Sequence, residues 1–149
     1  MDIQWVLKKF DELTPGELYA IMQLRNEVFV VEQNCVYQDA DNKDQLSFHF
    51  SGWKKEKLVA YTRIVPAGII FKAVSIGRVI TSPGIRRSGI GKELMVRSIE
   101  QVNKLFGKVP IQIGAQLYLK TFYTSLGFQQ ISDTYSEDGI EHIEMILEA

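Results

Sequence analysis

Residues 75–106, SIGRVITSPGIRRSGIGKELMVRSIEQVNKLF, decide how this chain folds. The stretch opens as a short apolar strand carrying Ile76, Val79 and Ile80 and breaks at Ser82, Pro83 and Gly84. It then passes through Arg86, Arg87, Ser88, Gly89, Ile90 and Gly91 and continues as a long amphipathic helix. A strand, a glycine-containing turn and a helix N-terminus in succession form an anion site. The first amides of the helix have no intrahelical partner, the helix dipole favours negative charge there, and glycine lets a phosphate approach the main chain. Arg86 and Arg87 bring positive charge to the same place. Residue type excludes two commoner phosphate loops. A P-loop needs Lys directly after its second Gly and then Ser or Thr, whereas Ile90 follows Gly89 and Glu93 follows Lys92. The dinucleotide fingerprint needs a third Gly, and Leu94 stands there. What remains is Arg-x-x-Gly-x-Gly at Arg86, Gly89 and Gly91.

Upstream, residues 2–10 alternate as a first strand with Ile3, Trp5 and Leu7 on one face. Thr14, Pro15 and Glu17 supply an N-cap, a first-turn proline and a capping-box partner, with Leu13 stapled to Leu18. The helix they start is expected to bury Leu18, Ile21, Met22, the stem of Arg25, Val28 and Phe29. Residues 47–54 and 57–65 read as an antiparallel hairpin about Lys55 and Glu56. Downstream lie a strand at 110–115, a short helix at 118–126 closed by Gly127, and strands at 128–135 and 140–147 turning at residues 136–139. The order β-α-β-β-β-α-β-α-β-β implies one mixed sheet of about seven strands with helices on both faces, an α/β (mixed α+β) single domain over residues 1–149.

Composition narrows the function classes. A formal net charge of -1 argues against a general nucleic-acid binder, which would carry a basic excess. The single cysteine, Cys35, forms no internal disulfide, so a reducing compartment is expected; with no apolar run able to span a bilayer, the expectation is a cytoplasmic protein with no membrane partner. Asp39, Asp41 and Asp44 invite a calcium-loop reading. It fails because Lys43 stands at the third ligand position and Asp44 where the turn needs Gly, so no metal is expected.

The segment Tyr123-Thr124-Ser125-Leu126-Gly127-Phe128, at its distance after the Arg-x-x-Gly-x-Gly loop, resembles the GNAT N-acetyltransferase superfamily. That superfamily carries its acyl-CoA pyrophosphate loop between the fourth strand and third helix, and a helix ending Tyr-x-x-x-Gly-Phe after the fifth strand. VFVVEQNC at 28–35, YQDAD at 37–41, IGRVI at 76–80 and EDGIEHIEM at 137–145 further resemble its ElaA-like branch, so the likeness covers almost the whole chain. It implies a GNAT-type fold and transfer of an acetyl group from acetyl-CoA to a primary amine by direct attack in a ternary complex.

In that resemblance the pantetheine arm adds along the backbone of Val79, Ile80 and Thr81 like an extra strand. The pyrophosphate sits on the amides of Arg87, Ser88, Gly89, Ile90, Gly91 and Lys92, with Arg86 opening the loop. Tyr123 matches the general acid for the departing thiolate, and a phenol pKa of about 10 lies not far above a thiol's of about 8.5. Some members place a basic carboxylate on the fourth strand, but Ser75 stands there, leaving Glu32, His49 and His142 as candidate bases. Cys35 lacks a sequence-visible activating partner and reads as an ordinary thiol. The acceptor, a small-molecule or protein amine, is expected to meet an acidic rim formed by Asp39, Asp41 and Asp44 and by Glu137, Asp138 and Glu141. The resemblance makes a homodimer a fair expectation. The competing function is an acyl-CoA-binding regulatory or degenerate module without significant turnover.

Overall fold

The computed structural model describes residues 2–149, and its first strand is β1 (Gln4–Lys9). A 3-10 turn, Phe10–Glu12, leads to α1 (Pro15–Arg25), whose start follows its sequence. The Glu17 amide donates to Thr14 Oγ1 at 3.1 Å and the Thr14 amide to Glu17 Oε1 at 2.8 Å, a reciprocal capping box. Lys8 Nζ, 3.0 Å from Glu17, ties β1 to this helix start. The helix continues beyond Phe29 as a π-helical segment, Asn26–Glu32, a rare geometry that recurs beside functional sites.

The hairpin is present as β2 (Phe48–Lys54) and β3 (Lys57–Val65), with Lys55 in a left-handed conformation at φ 57°. There follow β4 (Val74–Thr81), α2 (Ile90–Phe106), β5 (Ile111–Gln116), α3 (Lys120–Ser125), β6 (Gln129–Gln130), β7 (Tyr135–Glu137) and β8 (Ile140–Leu147). The sheet runs β1-β2-β3-β4-β5-β8-β6, with β7 also on β8; every pairing is antiparallel except β4 with β5.

Among the described residues eight strands replace the expected seven, because the run at 128–135 is split. The Ile131 amide reaches the Glu144 carbonyl at 2.9 Å, but the Glu144 amide donates to Ser132 Oγ at 2.8 Å, so a side-chain hydroxyl takes a ladder position and the backbone leaves the sheet. The last turn is also tighter than expected. Glu137 pairs with Ile140, leaving Asp138 and Gly139 as the two turn residues at φ 52° and 80°.

Alternation along β3, switched once by a bulge at Val59, separates two cores. Ala60 and Ile64 join Ile76, Ile111, Ile113, Ile143 and Met145 beneath Ile90, Leu94, Met95 and Val102 of α2. On the other face Leu58, Tyr61 and Ile80 meet Ile21, Leu24 and Val28 of the first helix. Helices therefore cover both faces, as expected. The buried set of α1 differs from expectation: Leu24 is buried, whereas Leu18, Met22 and Phe29 are half-buried. Among the described residues, no helix is long and apolar enough to cross a membrane.

Arg25 is the larger surprise, since its guanidinium as well as its stem lies in the interior at 0% exposure. Its Nε donates to Asp39 Oδ2 and its Nη1 to Asp44 Oδ1, both at 2.7 Å. Arg63 Nη1 reaches the same Asp44 oxygen at 3.0 Å and Asp41 Oδ1 at 2.8 Å, and Arg63 Nη2 reaches Asp41 Oδ2 at 2.9 Å. The carboxylates of Asp39, Asp41 and Asp44 are thus internal partners of arginines, and the acidic rim expected of them does not exist. Burial opposes ionisation of Asp44, but hydrogen bonds and charge from Arg25 and Arg63 outweigh it and hold the carboxyl below its usual range. His49 is enclosed by the same cluster: its Nε2 donates to the Asp44 carbonyl at 2.9 Å and its Nδ1 accepts from Tyr61 Oη at 2.6 Å. Burial lowers its pKa and keeps it neutral.

Removing Asp44, which two arginines share, leaves buried positive charge uncompensated; Asp44→Ala should lower the unfolding free energy at neutral pH by about 3–5 kcal/mol in urea titrations. A loss below about 1 kcal/mol, the value of an exposed pair, would show that the cluster contributes little. For the wild type, stability should begin to fall as pH drops through about 6.5, where the unfolded chain protonates His49 before the folded protein does. It should fall further below about 4 as the paired carboxylates are protonated.

Candidate active site

Strands β4 and β5 run parallel but pair only at Val74 with Ile111 and Ser75 with Gln112. Beyond that they diverge, and a cleft of about 570 Å³ opens between residues 76–81 of one and 113–116 of the other. A bulge bends β4 at this point. Tyr61 pairs with Ile80 and Arg63 with Gly77, so Arg78 and Val79 face the single residue Thr62. Arg78 takes a left-handed φ of 50°, unfavourable for a residue with a Cβ. Its guanidinium anchors it there: Nη2 donates to the Asp39 carbonyl at 3.1 Å, and Nε lies 2.7 Å from Asp39 Oδ1 as an ion pair, off the line of its N–H. The buried arginine–aspartate cluster thereby holds the bend whose far edge borders the cleft.

At the end of β4 the chain makes the predicted loop. Pro83–Ile85 forms a 3-10 turn with Ile85 buried, and Ser88 Oγ donates to the Ile85 carbonyl at 2.6 Å. Arg87 and Gly89 are left-handed at φ 67° and 82°, and Gly89 caps α2. A Cβ built on Gly89 or on Gly91 would meet nothing within 4 Å, so the space beside these two residues is open. Ile90 turns its side chain into the core at 3% exposure, leaving only its amide for the loop. Arg86 borders the cleft with its guanidinium held by Glu32, Nη2 to Oε1 at 2.7 Å and Nη1 to Oε2 at 2.9 Å.

Tyr123 lines the cleft from α3 at 5% exposure, its ring edge-on to Phe122 and Phe128 at centroid distances of 5.1 and 5.9 Å. Gly127, at φ 101°, lets the Phe128 amide turn back to the Tyr123 carbonyl at 3.2 Å and fixes the helix end. Burial pushes the Tyr123 hydroxyl well above its ordinary pKa, so it is held as a neutral hydrogen-bond donor. The remaining wall comes from the segment after α1 and from the last hairpin. Gln33 and Gln116 exchange amide hydrogen bonds at 3.2 and 3.3 Å, and Cys35 Sγ donates to the Asp138 carbonyl at 3.2 Å. His142 donates from Nδ1 to the Ile140 carbonyl at 2.8 Å, its ring stacks on Tyr135, and its Nε2 lies 3.5 Å from Glu137 Oε2.

The structure therefore gathers Val79, Ile80, Thr81, Arg86, Tyr123, Glu32 and His142 around one cleft, together with Glu137 and Asp138 of the expected rim. It does not bring His49 there, nor Glu141. Gly89 and Lys92 border a shallow depression on the outer face of α2. Sequence reasoning did not find the Gln33–Gln116 bridge, or Tyr37, whose hydroxyl bonds Asp39 Oδ1 at 3.0 Å beneath the cleft. Tyr37, Gln33 and Gln116 all lie within the resembling stretches, Gln116 in the run from Gly114 to Phe128, which was the available signal. Among the described residues, no cluster of His, Cys, Asp or Glu could hold a metal ion.

Residues 16–149 match the Acetyltransferase (GNAT) domain family. The chain is 43% identical to protein ElaA of Escherichia coli over 148 residues, 98% of this chain and 97% of that one. The crystal structure of Escherichia coli ElaA superposes with a TM-score of 0.93 at 42% identity, covering 99% of this chain and all of the other. That of a Pseudomonas aeruginosa protein described as an acyl-CoA N-acyltransferase superposes with a TM-score of 0.94 at 38% identity, covering 98% and 99%.

If the open space over the loop receives a phosphate, Gly91→Glu should abolish acetyl-CoA binding measured by calorimetry. A carboxylate in the first turn of α2 favours the helix dipole, so the melting temperature should be unchanged or raised. Unaltered affinity would move the phosphate site elsewhere.

Proposed function

Because the chain belongs to the GNAT acetyltransferase family, we propose that it transfers an acetyl group from acetyl-CoA to a primary amine by direct attack in a ternary complex. The observation that carries this reading is the unpaired edge of β4 running into the open-faced loop at the start of α2. Backbone groups of Val79, Ile80 and Thr81 on that edge are free to pair with an extended pantetheine amide chain as a neighbouring strand would. The amides from Arg87 to Lys92, at the positive end of a seventeen-residue helix, suit a pyrophosphate.

Fixed amides beside the thioester carbonyl stabilise the negative charge that builds on its oxygen during attack. Tyr123, neutral and buried, donates a hydrogen bond toward the sulfur as the carbon–sulfur bond breaks. Full proton transfer is not required of it, because a thiol of pKa about 8.5 is already a tolerable leaving group. Glu137 and Asp138 at the cleft give the acceptor side the negative potential that attracts an ammonium. One observation favours the second reading, a binding module without turnover: at the strand position where some relatives have a carboxylate, this chain has a buried Ser75.

Release of free CoA thiol in a panel of amines and polyamines separates the two readings, with acetyl-CoA affinity measured in parallel. We expect binding, and at a hundredfold excess over Kd a stabilisation of about 2.7 kcal/mol. Turnover with at least one amine should follow, and Tyr123→Phe, which removes one hydrogen bond to the developing charge, should reduce it roughly 100-fold without loss of acetyl-CoA affinity. No binding at millimolar acetyl-CoA would overturn the proposal; binding without turnover would establish the second reading.

A further inference from the structure

Of the three side chains that sequence reasoning leaves as proton acceptors, two are already occupied. Glu32 uses both carboxylate oxygens on Arg86 at 2.7 and 2.9 Å, and His49 has both ring nitrogens bonded, away from the cleft. His142 differs. A carbonyl oxygen only accepts, so the 2.8 Å contact to Ile140 places a ring proton on Nδ1, and in the neutral ring it is Nε2 that carries the lone pair. Among the described residues no hydrogen bond engages Nε2, the residue lines the cleft, and at 8% exposure its ring is held firmly between neighbours. Gln116 of β5 flanks it in register on one side and Tyr135 of β7 on the other.

We propose that His142 Nε2 takes the proton from the acceptor nitrogen as that nitrogen attacks the thioester, with Glu137 beside it to hold the resulting imidazolium; this rests on the acyl-transfer reading above. The bound ammonium first gives one proton to solvent; the lone pair of the neutral amine then forms the new bond to the carbonyl carbon, and the second nitrogen proton passes to Nε2. The electron pair of the carbon–sulfur bond leaves on the CoA sulfur, and the imidazolium returns its proton to that thiolate through solvent. Before transfer, Nε2 and Glu137 Oε2 are two acceptors 3.5 Å apart; afterwards Nε2–H faces a carboxylate. Nε2 and the carboxylate are thus placed to form a direct ion pair once the proton has moved.

Every other ionisable group facing the ring works in the same direction or is already paired. Glu137 and Tyr135 approach from β7, while Cys35 is tied to the Asp138 carbonyl. On its own strand Glu141 is exposed and Glu144 is bonded to Gln112 at 2.6 Å. The cations of the cleft, Arg78 and Arg86, are engaged by Asp39 with Asp41 and by Glu32.

The test combines imidazole NMR with kinetics. Nitrogen chemical shifts should show the neutral His142 ring protonated on Nδ1, a readout that needs no substrate. His142→Gln should lower kcat for an accepted amine roughly 100- to 10,000-fold at neutral pH, with acetyl-CoA affinity unchanged and the acidic limb of the kcat/KM profile lost. Glu137→Gln, at the exposed end of β7, should fold normally and lower kcat for the same amine while leaving KM and acetyl-CoA affinity unchanged. An Nε2–H tautomer, an active His142→Gln, or a Glu137→Gln variant with the wild-type kcat would each overturn the assignment while leaving acyl transfer intact. A wild-type protein that binds acetyl-CoA but acetylates no amine overturns the acyl-transfer reading, and this assignment with it.

Discussion

The parting of β4 and β5 after one pair of residues on each strand is the constraint on which this structure turns. A parallel pair buried in the middle of a sheet would ordinarily satisfy its backbone groups along its whole length, and leaving them unmet is costly. Here the edge of β4 opens instead onto a cleft. An extended ligand rich in amides can meet those groups, and the helix N-terminus at the end of the same strand meets the charge such a ligand carries.

Holding a strand bent away from its neighbour takes a second device, and the interior of the α1 face supplies it. The bulge at Arg78 is fixed by Asp39, which also pairs with Arg25; Arg25 shares Asp44 with Arg63, and Arg63 holds Asp41. Ion pairs so placed gain little stability over a well-packed apolar core, but breaking one is expensive. Their effect is positional. They connect α1, the acidic loop, β3 and the bulge of β4, so the wall of the cleft is set by buried side chains rather than by a mobile loop.

Much of this architecture was legible from residues 75–106 and from turn chemistry. The capping box at Thr14 and Glu17, the Lys55 hairpin and the Gly127 helix end all depend on local backbone rules and appear where those rules place them. What failed was long-range. Three aspartates in a polar stretch look solvated until Arg25 and Arg63, which are distant in sequence, are seen to share their interior. The break between β6 and β7 depends on a single hydroxyl, Ser132, replacing a carbonyl, and no alternation pattern records that. Among the candidate bases, His49 and His142 are indistinguishable by residue type; only their hydrogen-bond partners separate an enclosed ring from one with a nitrogen to spare.

The central claim, that the gap between β4 and β5 is an acyl-CoA site, is tested most directly by a crystal structure of the protein grown with CoA. The account predicts pantetheine amides paired with the backbone of Val79, Ile80 and Thr81, and the pyrophosphate on the amides between Arg87 and Lys92. CoA ordered elsewhere on the molecule, with this cleft filled only by water, would contradict it.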